Sequence, residues 1–190
     1  MPPAHPEAFA FLAARQSYPS KVMTGPAPDR AQLLPILTAA LRVPDHGKLE
    51  PWRLLVLDRA ALARTADLAE ARAHELGADP EKIAKGRGQF DRSHLAVVVI
   101  SAPKPAEKVP EVEQLLSAGA LCLNIVNAAS AAGWGANWLT GWVSHDTPFA
   151  ARAFGLSKTE RVAGIIHIGT PGPAQPDRPR PDPDRIITWA

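Results

Sequence analysis

Hydrophobic and polar positions alternate between two rhythms along this chain. Leu33, Leu34, Ile36, Leu37, Ala40 and Leu41 recur at helical spacing behind Asp29, a suitable N-cap, and Pro44 stops that helix near Arg42. Glu7 to Ala14 reads as a short helix. A second Ala-rich helix starts at Asp58 and ends at Gly77, and a basic one spans Glu81 to Gln89. Glu111 to Ala132 predicts a long helix that is apolar nearly all round after Leu115 and closes at Gly133. Such a helix belongs in a core or at a subunit interface. Thr147 to Phe154 is a further short helix. Strands are expected at Trp52–Leu57, His94–Ser101, Trp134–Thr140 and Arg161–Ile168. The unbroken apolar run from Leu95 to Ile100 predicts burial on both faces. Strands separated by helices make the class α/β or α+β.

The 190 residues suit one domain. Proline is the compositional outlier, with 20 residues, six of them from Pro171 onward (Pro171, Pro173, Pro176, Pro179, Pro181, Pro183). Residues 172–190 are therefore expected as an extended arm, ending in a β-like Ile186–Trp189. The single cysteine, Cys122, excludes an internal disulfide and any multi-cysteine metal site. Its place inside the apolar helix makes it a small core residue. A net charge of +2 without a basic block argues against nucleic-acid binding. No run of 18 apolar residues or basic-then-apolar leader is visible, so the expectation is a cytoplasmic protein without a membrane span.

The sequence lacks the phosphate loop, the dinucleotide-binding glycine pattern, a nucleophile elbow and a histidine pair at metal-binding spacing. Three polar segments remain. Arg15-Gln16-Ser17 follows the first helix and is either a solvated helix end or a grip for one phosphate, through guanidinium and hydroxyl donors. Arg42 to Trp52 is either a rigid turn with exposed charges or a place where Arg42 and His46 face a ligand ring. Gly133 to Trp142 carries Trp134, Trp138 and Trp142 between glycines, as a Trp-rich core edge or as a surface for a flat ligand.

In this order and spacing the three segments resemble the nitroreductase family of FMN-dependent oxidoreductases, specifically its small YdjA-like subfamily. The resemblance is carried by Arg15-Gln16-Ser17, Arg42-Val43-Pro44-Asp45-His46 and Glu50-Pro51-Trp52. It continues through Lys108-Val109-Pro110, Glu113-Gln114, Ser117-Ala118-Gly119 and the Gly133–Gly141 segment. Ala153-Phe154-Gly155 and Ile168-Gly169-Thr170-Pro171 complete it, so it covers nearly the whole chain.

The resemblance implies an α+β fold with a central mixed or antiparallel sheet flanked by helices. It implies a homodimer with the long apolar helix at the interface and the C-terminal arm around the partner. It implies FMN shared between subunits. Arg15, Gln16 and Ser17 would meet the phosphate and ribityl chain, with Trp138, Leu139 and Thr140 against the flavin of the same subunit. Arg42 and His46 would reach the flavin of the other. Gln16 stands where the subfamily has arginine, and Leu139-Thr140 where it has Arg-Ser, so two positive charges are missing. The implied activity is ping-pong hydride transfer from NAD(P)H, through FMN, to a nitroaromatic, quinone or similar small compound. No catalytic side chain and no metal are then needed. Two other readings share the sequence: an FMN-binding sensor or chaperone with little turnover, and an interaction module that docks through its proline arm.

Overall fold

A computed structural model describes residues 3–173 and 175–190. Its centre is the strand predicted to be buried on both faces. β2 (Leu95–Ser101) is buried along its whole length. It lies between β1 (Trp52–Leu57) and β4 (Arg161–Gly169), and β3 (Gly135–Leu139) completes the order β1-β2-β4-β3. All three pairings are antiparallel. The fold is therefore α+β, and of the two expected sheet types the antiparallel one is found.

The pleat divides the side chains of β2 between two cores. Val97 and Val99 face α2 (Arg30–Ala40) and α5 (Glu111–Ala131). Ala96, Val98 and Ile100 face α3 (Arg59–Glu75), α4 (Pro80–Asp91) and α7 (Thr147–Phe154). Helices thus cover both faces of the sheet, and both must be apolar, which explains the lack of alternation in the sequence of β2. In the second core Phe90, Phe149 and Phe154 form an aromatic cluster, with Phe149 and Phe154 edge to face at 5.7 Å.

Local signals set the helix ends. Asp29, Asp58, Asp79 and Asp146 each accept a bond from a backbone N–H in the first turn of α2, α3, α4 and α7. At Asp29 the bond is reciprocal, because its own N–H donates to Gln32 Oε1. α2 ends at Ala40, two residues before the predicted stop. α5 is long and apolar enough to cross a bilayer. Here its Leu121, Cys122, Ile125, Val126 and Ala129 fill the first core instead.

Two short helices escape the periodicity. α6 (Trp142–His145) is a single turn after Gly141, too short to show a period. α8 (Pro183–Ile186) occupies part of the arm, with Pro183 in its first turn, where a missing N–H costs nothing. The expected β-like end is not a strand: Ile186 closes α8, and residues 187–190 take no regular structure. α1 (Pro6–Ala14) buries none of its residues within this chain.

Phe90 is fully buried among Phe149 and Phe154. Phe90→Ala is expected to lower the unfolding free energy by about 3–5 kcal/mol in urea denaturation. A loss below about 1 kcal/mol would mean that the aromatic cluster is not an independent part of the core.

Candidate functional site

The chain leaves α1 through Arg15, whose N–H still donates to Phe11 O, and turns along the sheet edge. Tyr18 N–H donates to Ala136 O at 3.0 Å, which ties the first polar segment to β3. A cavity of about 600 Å³ opens between them, a size usual for small-molecule sites. Arg15, Gln16, Ser17 and Asn137 line one side. The other side comes from the proline arm, folded back as Gln175–Arg180. The Gln16 amide donates to Asp177 Oδ1 at 3.1 Å, and the Arg180 guanidinium donates to Ala13 O.

The electrostatics of this cavity are one-sided. Arg15, Arg178 and Arg180 bring three guanidiniums, against the single carboxylate of Asp177. Arg15 Nη1 is buried without a hydrogen-bond partner among the described residues. A buried, charged donor left unpaired is costly, and an anionic acceptor removes that cost. The donor set fits a phosphate monoester such as that of FMN. Arg178, Arg180 and Asn137 were not singled out from the sequence. The Arg-Pro-Arg of the tail reads there only as part of an extended arm, and its approach to Arg15 is a long-range contact.

The second segment lies elsewhere in the chain. Neither Arg42 nor His46 lines the Arg15 cavity. Both are exposed and held against α5. Asn124 Nδ2 donates to Ala40 O at 2.9 Å and to Arg42 O at 3.3 Å. Ser117 Oγ donates to Pro44 O at 2.7 Å and accepts from Trp52 Nε1 at 3.1 Å. His46 Nδ1 lies 2.6 Å from Glu113 Oε2. Glu113, Ser117 and Asn124 follow helical spacing, so they form one polar stripe along α5. Between these fixed points the backbone adopts left-handed φ at Gly47 (72°), Lys48 (53°) and Glu50 (48°). Two of those residues have side chains, so the turn is strained. The Asp45 carboxylate holds it by accepting from Leu49 N (3.2 Å) and Glu50 N (2.8 Å).

The third segment is β3 and the turn after it. Ala136 and Trp138 face the α5 side of the sheet, and Asn137 and Leu139 face the other, by strand alternation. The Trp138 indole crosses β4 over Gly164, where a Cβ would sit 2.1 Å from Nε1. The same Cβ would lie 2.9 Å from Cys122 Sγ. Gly164 is thus required for the position of Trp138, and nothing local in the sequence signals it. Burial pushes the Cys122 thiol up to about 12, which makes it an inert core group. Leu139 and Thr140 are half-buried at the exit of β3, before Gly141 at φ 79°. The first and third segments therefore meet within one chain, through Arg15 to Ser17 and Asn137.

His167 pairs with Asn137 across β3 and β4 and is fully buried. Ser93 Oγ donates to Leu95 O, so it accepts from His167 Nδ1–H at 2.8 Å. Nε2 is then a bare acceptor, and it has no partner. Burial pushes this imidazole down to about 4.

The architecture is that of an α+β protein in which helices sheathe an antiparallel sheet and a cationic cavity opens at the edge strand. The chain belongs to the nitroreductase family, whose model matches residues 12–170. It is 32% identical over 184 residues to the Escherichia coli K12 protein named "Putative NAD(P)H nitroreductase YdjA", covering 96% of this chain and 99% of that one. It is 35% identical over 166 residues to a Haemophilus influenzae protein named "Putative NAD(P)H nitroreductase", covering 86% and 88%. A nitroreductase-like family protein from Bacillus cereus superposes with a TM-score of 0.78 at 21% identity, covering 100% of this chain and 99% of that one. A variant of the FMN and NADPH-dependent nitroreductase NfnB of a sphigopyxis strain superposes with a TM-score of 0.74 at 19% identity, covering 96% and 98%. The two structural likenesses establish the fold.

Ser117→Ala is expected to strand Pro44 O and Trp52 Nε1 and to cost about 1–3 kcal/mol in urea denaturation; an unchanged midpoint would show that Ser117 does not brace the turn. His167 predicts a pH dependence. The unfolded imidazole binds a proton below about 6.5, whereas the folded one does not until about 4. Its stabilisation is present above pH 6.5 and is lost as pH falls towards 4. The unfolding free energy should be lower at pH 5 than at pH 7, and His167→Leu should flatten that slope. An equal slope in the variant would move its origin to other groups.

Proposed function

We propose that this chain is a cytoplasmic, FMN-dependent NAD(P)H oxidoreductase that reduces nitroaromatics, quinones or similar small oxidised compounds. The observation that carries the reading is the unpaired, buried Arg15 guanidinium N–H in a cavity dominated by arginine. Family membership and the names of the relatives support the chemistry. Bound FMN would supply the hydride chemistry, accepting from NAD(P)H and passing to the second substrate in turn.

The chain's own groups would hold and tune it. Arg15, with Gln16 and Ser17 beside it, would take the phosphate. Arg178 and Arg180 would replace the positive charge that Gln16 lacks. Trp138, Leu139 and Thr140 would lie along the ring.

Arg42 and His46 would serve the flavin of a second copy, so the working unit is a homodimer. Exposed Phe9, Leu12, Leu116 and Leu123 support this reading, as does Trp189 at 90% exposure, because each is a large apolar group without cover in one chain. The Glu113 carboxylate would fix His46 by its Nδ1–H and leave Nε2 facing outward.

Arg15→Ala should weaken FMN binding by about 10- to 100-fold in a fluorescence-quenching titration, the size expected for a lost charge-assisted contact. Wild-type protein should give parallel double-reciprocal lines for NAD(P)H and a nitroaromatic acceptor. Tight FMN binding without turnover would favour a sensor or chaperone role. Failure to bind FMN at all would overturn both readings.

A further inference from the structure

A further cavity lies away from the Arg15 segment. It measures about 960 Å³ and shares no lining residue with the arginine-lined cavity. It sits at the start of β4, between the loop that precedes α5 and the α6–α7 turn. Its volume is at the upper end of the range for small-molecule sites.

The walls are fixed rather than loose. Gln114 on α5 is 4% exposed and spends its whole amide on the loop opposite. Its Oε1 accepts from Lys104 N at 2.7 Å, and its Nε2 donates to Lys104 O at 3.0 Å and Val109 O at 3.3 Å. Pro103, Pro105 and Pro110 further restrict that loop. A site built this way binds at little ordering cost.

The chemistry of the lining is uneven. Leu115, Leu156 and Val162 offer an apolar surface. Both carboxylates on the lining are already engaged. Glu160 forms a two-point pair with Arg53 and accepts from Ser157 N–H, and the Arg53 contact holds its carboxyl down to about 2. Glu111 pairs with Arg161. Lys104 and Lys158 have no ion-pair partner among the described residues. Ser144 borders the same space with a buried hydroxyl that has no partner. The cationic surplus on the lining is therefore the two ammonium groups of Lys104 and Lys158, set beside the Ser144 and Thr147 hydroxyls and the His145 imidazole over an apolar floor.

We propose that this cavity is a second ligand site, for a small aromatic or aliphatic carboxylate whose apolar body rests on Leu115, Leu156 and Val162 and whose carboxylate meets Lys104 and Lys158. The site stands independently of the flavin reading, because it uses none of the same residues.

The probe is 2-naphthoate, titrated into the full-length FMN-saturated protein by calorimetry, with 2-naphthol as the uncharged control. The expected result is saturable binding of one naphthoate per chain, at least tenfold tighter than naphthol. The Lys104→Ala/Lys158→Ala double variant should lose at least tenfold in naphthoate affinity, keep its weak naphthol binding, and keep its FMN affinity. Both lysines are exposed, so the variant is expected to fold. Three outcomes would overturn the proposal: no saturable naphthoate binding, equal binding of naphthol, or naphthoate binding that survives the double variant. Naphthoate that displaces FMN and is lost in Arg15→Ala would place the anion in the other cavity and would also overturn it. Because FMN affinity is read separately, failure here leaves the flavin reading intact.

Discussion

α5 has to satisfy two demands at once. One stripe of it must be apolar, since Leu121, Cys122, Ile125 and Ala129 complete the core on one face of the sheet. Another must be polar, since Glu113, Ser117 and Asn124 are what hold the segment from Ala40 to Trp52. That segment holds only a single 3-10 turn (His46–Lys48) to satisfy its own carbonyls, and it contains strained left-handed backbone. Without the α5 donors, several of its backbone oxygens would rely on water alone. The position of Arg42 and His46 is therefore a consequence of helix register. Gln114 extends the same logic to the loop that precedes the helix, by bonding Lys104 and Val109.

Much of this was legible in the sequence, for identifiable reasons. β2 announced itself because burial on both faces leaves no polar position. The starts of α2 and α3 were visible because the aspartate caps Asp29 and Asp58 are local chemical devices, whereas the caps Asp79 and Asp146 emerge only in the structure. The polar segments could be ordered along the chain, and their match to one family implied the fold that the structure has. What stayed hidden depends on long-range contact. Nothing near Gly164 in the sequence says that an indole must cross there. The tail arginines acquire meaning only when the arm folds back on Arg15. α6 and α8 are single turns of four residues, too short for the helical period to repeat. The β-like Ile186–Trp189 misled because β-branched residues record a preference that pairing must realise, and no partner strand is offered within this chain.

The site brings together a shortage and a surplus of charge. Gln16 and the Leu139-Thr140 pair remove positive charge from where the subfamily has it. Arg178 and Arg180 add positive charge to the cavity that Gln16 lines, from a different part of the chain. Near an anion, the sum of nearby positive charge matters more than which residue supplies it. Under the proposed function, this change of source would let a chain that departs from the subfamily at Gln16 still hold a phosphate. The exposed apolar groups on α1 and α5 would be covered in the proposed dimer.

The most direct test of the account is the first half of the proposed cycle, isolated from the second. FMN-loaded protein is mixed anaerobically with one equivalent of NADH or of NADPH, with no acceptor present. The account predicts that at least one of them bleaches the flavin absorbance, and that an added nitroaromatic or quinone restores it. Flavin that stays bound and oxidised with both nicotinamides would contradict it, leaving a flavin-binding protein without this activity.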